Sequence, residues 1–193
     1  MKERPIPFSA AMVRALLDGT KTETRRICMP QPARVNPSGR WYQMAGGGHS
    51  LNFWGCPYGE PGDVLWVREA WRVGKGYDEA KGSEFTSPAV MYEATREDAL
   101  ERWPEIVWGR HRAGRFMPRW AARIELEVKS YRVERLHDMR EWDAVAEGIA
   151  APESEDEISA LGAFQELWLS LNGPGSWVSN PFVWVVEFNR RIS

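Results

Sequence analysis

The sequence has few of the features that mark the common classes of protein. Its two cysteines, Cys28 and Cys56, are too few for a disulfide framework and lack the paired spacing of a metal site. No run of about 18 apolar residues is present, as a membrane-spanning helix would need. The opening stretch MKERPIPFSA also lacks the apolar segment of a secretory signal. We therefore expect a protein of the reducing cytoplasm that does not contact a membrane.

Motifs that hold cofactors are missing as well. The chain contains no Walker loop, dinucleotide fingerprint, HExxH or CxxC pattern. Its three histidines are scattered, and none has a second ligand at a fixed spacing. We therefore expect neither a metal nor another cofactor. The net charge of −2 also shows that the chain as a whole is not an electrostatic binder of nucleic acid.

The composition that is present fits one globular domain of mixed α+β class. The 193 residues are 43% hydrophobic and 27% charged, which is enough to bury a substantial core. Residues 29–61 are rich in Pro and Gly and include Gly46, Gly47 and Gly48, so they predict an excursion that is either disordered or a lid. There is no internal repeat and no alternation of strands with helices, and we expect a small curved sheet or barrel decorated by helices.

Local patterns place the elements of this fold. Ser9 predicts the start of a helix that ends at Gly19. Strands are predicted at 22–28, 63–69, 89–94, 121–128 and 182–188, the last nearly all apolar and therefore central. The apolar alternation slips near Lys129 and Ser130, which predicts a bulge. Two further helices are predicted from capping boxes, Asp138 with Glu141 and Ser154 with Glu157, ending at Gly148 and at residues 172–174.

The octapeptide GTKTETRR at residues 19–26 is the first candidate site. Lys21 beside Thr24 offers a base and a hydroxyl nucleophile, provided that burial lowers the pKa of the lysine. The alternative is an edge strand with an exposed lysine, which the local sequence favours. Positions 21 and 24 lie on opposite faces of a regular strand, so they converge only if Lys21 belongs to the turn after Gly19 or a bulge intervenes.

Glu147 is an unusual residue for its position. It stands in the last turn of a predicted helix, where the helix dipole disfavours a carboxylate. Such a residue suits proton transfer, although an exposed glutamate in an ordinary helix end is the alternative.

Two more groups combine cations with aromatic rings. Arg68 and Glu69 follow a predicted strand close to Trp71, and form either an ion pair at a rim or part of a site. Residues 108–123 contain no acid and mix arginines with Trp108, Phe116 and Trp120, which is typical either of single-stranded nucleic-acid or nucleotide binding or of a solvated loop. Its candidate contacts are Arg110, Arg112, Arg115 and Arg119.

The whole chain, residues 1–193, resembles the ASCH-domain proteins, a branch of the PUA-like superfamily, and particularly their phage and prophage members. The segments that carry the resemblance are KERPIPFSAAMVRALLDGTKTETRR, CPYGEPGDVLWVREAW, FMPRWAARIELEV, RVERLHDM with DAVAEGI, and NGPGSWVSNPFVWVVEF. Variable excursions fall at about 29–53 and 74–115. The resemblance implies a small β-barrel with a cleft beside the first helix, lined by the GxKTxTxR stretch.

The resemblance also implies an activity. The small bacterial amidohydrolases that remove the acyl group from N4-acetylcytidine look like a reduced form of this domain, and their site residues correspond to Lys21, Thr24 and Glu147. Thr24 would attack the acyl carbonyl, neutral Lys21 would take its proton, and Glu147 would assist proton delivery or position water. Arg25 or Arg26 would supply a cation that keeps Lys21 neutral. The remaining substrate-binding candidates are Trp66, Arg68, Glu69 and Trp71.

Two other interpretations stay open. The first is a binding module without chemistry, which reads RNA or a modified base through the same cleft and the arginine-rich segment. The second is a phage accessory protein whose cleft has degenerated. For both the amidohydrolase and the binding module, the ligand is a nucleoside or RNA. The sequence gives no indication of the oligomeric state.

Overall fold

The computed structural model describes residues 1–32, 34–35, 41–44, 51–52, 55–80, 89–154 and 156–191, which form a mixed α+β fold. In chain order the strands are β1 (Glu3–Pro7), β2 (Glu23–Ile27), β3 (Arg34–Val35), β4 (Trp41–Met44), β5 (Leu51–Asn52), β6 (Val64–Arg68), β7 (Trp71–Val73), β8 (Val90–Tyr92), β9 (Glu125–Arg135) and β10 (Phe182–Arg190). The α-helices are α1 (Ala10–Leu17), α2 (Arg96–Arg102), α3 (Glu141–Ala146) and α4 (Ala160–Asn172). None of the helices in these residues is long and apolar enough to cross a membrane.

A five-stranded sheet in the order β1-β6-β9-β10-β2 is the centre of the fold. Strand β1 runs parallel to β6, and the other neighbours are antiparallel. Strand β10 lies between β9 and β2 and is buried on both faces, as its apolar sequence predicted. Trp184 and Val186 pack into one core cluster with α1, while Val183 and Val185 pack into a second cluster with α3 and α4.

The predicted bulge is confirmed at Lys129. Along the β9–β10 ladder Glu187 lies opposite Ser130, whereas the next residue, Phe188, lies opposite Val128. Lys129 is therefore the extra residue of β9. The alternation of apolar residues changes phase at that point, which is the pattern that the sequence showed.

The expected closed barrel is not present among the described residues. Strands β1 and β2 are the edges of the sheet, and no backbone ladder joins them in these residues. Strand β1 carries Pro5 and Pro7, which lack the N–H groups that a second neighbour would need. Side chains bridge the gap instead: Arg26 Nη2 donates to the Pro7 carbonyl at 2.7 Å, and its guanidinium lies 5.2 Å from the centre of the Phe8 ring.

Helix α1 is confirmed with the predicted ends, and this places the octapeptide. The Ser9 side chain accepts a hydrogen bond from the Met12 N–H, and Gly19 adopts a φ of 77° directly after the helix. The chain can reverse there and enter β2 only four residues later, at Glu23.

The predicted starts of the two later helices are wrong. Helix α3 begins at Glu141 after Arg140, and Asp138 ends a short 3-10 helix instead. Helix α4 begins at Ala160 with Ser159 as its N-cap, not Ser154, because the buried face of the helix starts only at Ala160. Its predicted end at Gly173 is confirmed, with a φ of 86°.

The two excursions contain secondary structure. Strands β3, β4 and β5 form a small antiparallel sheet within residues 29–61, and β7 pairs with β8 across the second excursion. Gly46, Gly47 and Gly48, which the sequence suggested as a lid, lie outside the described residues.

Candidate functional site

Lys21 is buried in the turn between α1 and β2. Its backbone N–H donates to the Ala15 carbonyl at 3.1 Å, and the residue is 3% exposed. Its Nζ contacts Glu147 Oε2 at 2.6 Å, the Glu147 carbonyl at 2.8 Å and the Glu23 carbonyl at 2.9 Å. The alternative of an exposed lysine on an edge strand is therefore wrong. The turn position was the condition for Lys21 and Thr24 to converge, but the acceptors of Lys21 Nζ among the described residues do not include the Thr24 hydroxyl.

Glu147 lies at the end of α3 and accepts hydrogen bonds from both Lys21 and Arg25 of the octapeptide. One carboxylate oxygen accepts from Lys21, and the other accepts from the Arg25 backbone N–H. The Thr22 N–H donates to the Ala146 carbonyl at 2.8 Å, which ties the start of β2 to the end of α3. The alternative of an exposed glutamate is wrong, since Glu147 is 3% exposed.

Gly148 allows the close approach of these segments. It has a φ of 90°, and a Cβ added there would lie 2.7 Å from the Ala15 Cβ and 3.0 Å from the Lys21 Cβ. A larger residue would push Lys21 or α1 away, so the contact between Lys21 and Glu147 depends on this glycine.

Burial and a neighbouring cation both lower the pKa of Lys21. Burial lowers the pKa of Lys21, and the Arg26 guanidinium adds to this effect, whereas the Glu147 carboxylate opposes it. Of the two arginines suggested for this role, Arg26 acts on Lys21. The Arg25 guanidinium instead lies among carboxylates, those of Glu23, Glu134 at 2.9 Å, Asp143 at 3.5 Å and Glu147 at 3.7 Å.

A cavity of about 210 Å³ opens beside this cluster. Its polar lining includes Thr24, Arg25, Arg26 and Glu147, and its other lining residues are Met12, Ile27, Phe164, Leu167, Trp168, Leu171 and Asn172. From the sequence, Phe164, Leu167, Trp168 and Leu171 of α4 are predicted only as an apolar helix face. Their spacing of i, i+3, i+4 and i+7 is the same for a core face and for a cavity wall, and the partial exposure of Leu171 could not be read from it.

Three residues of this cavity wall carry buried N–H groups without an acceptor in the described part of the chain: Arg25 Nε, Arg26 Nε and Trp168 Nε1. Buried polar groups in native proteins almost always have a partner. Each of these atoms has almost no accessible surface, so none of them faces the open cavity, and a ligand would reach them only after a rearrangement of the wall.

Four of the predicted substrate-binding residues do not line this cavity. Glu69 is 2% exposed and forms a two-point ion pair with Arg123, at 2.9 and 3.0 Å, rather than with Arg68. Burial raises the pKa of Glu69, and Arg123 opposes that effect. Arg68 lies 4.7 Å from the ring centre of Trp66, and Trp71 is buried in a third core cluster.

The arginine-rich segment divides into paired and unpaired cations. Arg112 pairs with Asp78 at 3.3 Å, and Arg119 pairs with Glu125 and with Glu3, the latter at 2.8 Å. Arg110 and Arg115 are exposed, and their guanidinium groups form no ion pair with a described residue.

The described residues contain no group of three or more His, Cys, Asp or Glu side chains arranged to hold a metal ion. Comparison of the chain with protein-family models, curated proteins and solved structures finds no match in any of the three.

Proposed function

We propose that this protein is an amidohydrolase that removes the acyl group from N4-acylated cytosine nucleosides or related amides. The observation that carries the proposal is the cluster in which Lys21, buried and 2.6 Å from Glu147, lies behind a cavity whose wall includes both Glu147 and Thr24. A hydroxyl and a proton-transfer pair at one small cavity are the elements of nucleophilic acyl transfer. The family resemblance supports the same three residues.

The first step requires a neutral lysine. Lys21 donates to Glu147 Oε2 over 2.6 Å, so a proton can pass along this bond and leave an amine beside a carboxylic acid. Burial lowers the pKa of Lys21, which reduces the free-energy cost of forming the neutral amine. The three acceptors of Lys21 Nζ among the described residues do not include the Thr24 hydroxyl, so substrate binding has to bring the amine and the hydroxyl together.

The reaction then proceeds in two halves. The Thr24 oxygen attacks the acyl carbon while its proton passes to the Lys21 amine, and the tetrahedral intermediate expels the cytosine amine, which takes a proton from Glu147. Water next attacks the acyl-threonine and transfers a proton to the Glu147 carboxylate. The second tetrahedral intermediate then releases the carboxylic acid as the Thr24 oxygen takes its proton back from the Lys21 ammonium, which restores all three side chains. The net change is amide plus water to acid plus amine.

The cavity wall supplies recognition for this reaction. Arg26 and Asn172 add polar side chains to a wall that is otherwise largely apolar, as is usual in sites for small molecules. The rings of Phe164 and Trp168, with centres 6.0 Å apart, offer an apolar surface for the base. At about 30 Å³ per water, a cavity of about 210 Å³ holds on the order of seven water volumes. It therefore fits the acylated end of the base and leaves the sugar at the mouth.

The test is incubation with N4-acetylcytidine and chromatographic measurement of released cytidine. We expect turnover by the native protein and loss of at least about 100-fold in Thr24→Val, which keeps the side-chain volume but removes the hydroxyl. Thr22→Ala is the matched control, since Thr22 is exposed two residues away in the same octapeptide. Thr24→Ser should retain activity.

Two results would contradict the proposal. One is the absence of cytidine at high protein concentration. The other is turnover that falls equally in Thr22→Ala and Thr24→Val, because the Thr24 hydroxyl would then have no particular part in the reaction.

A further inference from the structure

A second cleft lies in and beside the second excursion, residues 74–115. It takes no part in the proposed reaction. Its volume of about 580 Å³ is within the range of roughly 300–1,000 Å³ that small-molecule sites occupy. Its lining combines cations with aromatic rings: Trp71, Arg110, His111, Arg112 and Phe116, together with Ala80, Ala113 and Pro118.

The backbone of this cleft is fixed by hydrogen bonds to β7. Trp71 and Arg112 exchange two bonds, at 3.0 and 2.9 Å, and the Gly109 N–H donates to the Val73 carbonyl at 2.8 Å. Asp78 accepts from the Arg110 N–H at 3.0 Å, and a Cβ at Gly109 would lie 2.3 Å from the same carboxylate oxygen. The segment is therefore a loop whose backbone is held in place by hydrogen bonds.

The side chains on this fixed backbone are largely uncommitted. Arg110 and His111 are exposed at the cleft, and the Arg110 guanidinium has no ion pair among the described residues. Arg115 is exposed next to the cleft and lies 4.9 Å from the ring centre of Phe116, which is itself 67% exposed. Asp78 neutralises Arg112, so the uncommitted full charges are those of Arg110 and Arg115.

We propose that this cleft binds single-stranded nucleic acid, with Arg110 and Arg115 on two phosphates and an unstacked base on Phe116. Guanidinium groups match the geometry of phosphate oxygens, and an exposed aromatic ring beside them provides a stacking surface for any base. Because the chain has a net charge of −2, the contacts at this cleft, rather than the overall field, must supply the affinity. The inference is independent of the amidohydrolase proposal.

Two phosphate contacts set the salt dependence. Each contact to a single strand contributes about −0.7 to the slope of log K against log salt concentration, so the native protein should show a slope of about −1.4. Arg110→Gln or Arg115→Gln should each reduce the slope to about −0.7. Phe116→Leu should weaken binding by about 5- to 150-fold without changing the slope.

The experiment is fluorescence anisotropy of a labelled oligouridylate of about 12 nucleotides, titrated over a series of KCl concentrations. Arg140 and Trp142 are the matched controls, because this exposed arginine and ring lie 5.0 Å apart at the start of α3 and are not part of the cleft. Arg140→Gln and Trp142→Leu should leave affinity and slope unchanged. A duplex should bind more weakly than the single strand, because its bases are already stacked.

Three results would overturn the proposal: no binding at low salt, equal losses in the cleft and control variants, or equal binding of the duplex. The readout is a slope and an affinity rather than turnover, so the amidohydrolase proposal can fail while this one stands.

Discussion

Breaking the buried pair of Lys21 and Glu147 should destabilise the protein strongly and unequally. Removal of one partner from a buried ion pair costs about 3–5 kcal/mol, since the other charge stays buried. Lys21→Met should lie near the lower value, because Glu147 keeps the Arg25 N–H and a guanidinium 3.7 Å away. Glu147→Leu should lie near the upper value, because the described contacts that Lys21 Nζ keeps are two backbone carbonyls and the Phe8 ring, without a hydrogen-bonded carboxylate.

The double variant Lys21→Met/Glu147→Leu provides the decisive comparison. With both charges gone, no side-chain charge of the pair is left buried, and the loss should be smaller than the sum of the two single losses. For residues in direct contact we expect a coupling energy of about 2 kcal/mol. The free energy of unfolding can be measured by urea denaturation, and the eleven tryptophans of the chain provide the fluorescence signal.

The refuting result is equally specific. If both single variants lose less than about 1 kcal/mol and their losses add, the pair behaves as a solvated surface ion pair. Burial would then not make Lys21 a proton acceptor, and the proposed mechanism would fail with it.

Three further predictions concern neighbouring features. Gly148→Ala should cost about 1 kcal/mol more than Gly173→Ala, since both have positive φ but only the first places a Cβ against Lys21, and urea denaturation measures the difference. Burial raises the pKa of the Cys28 thiol to about 12, so a thiol reagent at neutral pH should react only as fast as the protein unfolds; rapid labelling of the folded protein would contradict this. Burial raises the pKa of native Glu69 above the 4.5 of an unperturbed glutamate. At pH values between the unfolded-state and native-state pKa, the native carboxyl therefore holds a proton that the unfolded one has lost. The free energy of unfolding should fall as pH rises between these two pKa values. The slope should be smaller in Glu69→Gln, where Glu23, whose pKa burial also raises, still contributes.

The sequence predicted those parts of the fold that depend on neighbouring residues. Ser9 and Gly19 bound α1 because a cap and a left-handed turn are local events. The slip in alternation located the bulge at Lys129 for the same reason. The starts of α3 and α4 were missed because several residues could serve as caps, and tertiary burial of Ala160 decided which one did.

For the candidate site, the residue types were visible but not their surroundings. The octapeptide and Glu147 could be singled out, while the exposure of Lys21 was misjudged from local statistics, because α3 buries it from more than a hundred positions away. The partner of Glu69 was likewise missed, since Arg123 comes from another part of the chain. The contact of Arg26 with the Pro7 carbonyl across the open edge joins two strands that do not pair, which no local pattern reveals.

The position of β2 has a consequence for when the candidate site is assembled during synthesis. Among the described residues, β2 pairs in the sheet with β10 alone, and Glu147 lies 126 residues beyond Lys21. Lys21 and Thr24 therefore leave the ribosome early but gain a lasting position only after residues 182–190 have been made and have added to the sheet. A nascent or truncated chain that lacks β10 should contain Lys21, Thr24 and Glu147 without holding them together, so the cluster forms only once β10 has been translated.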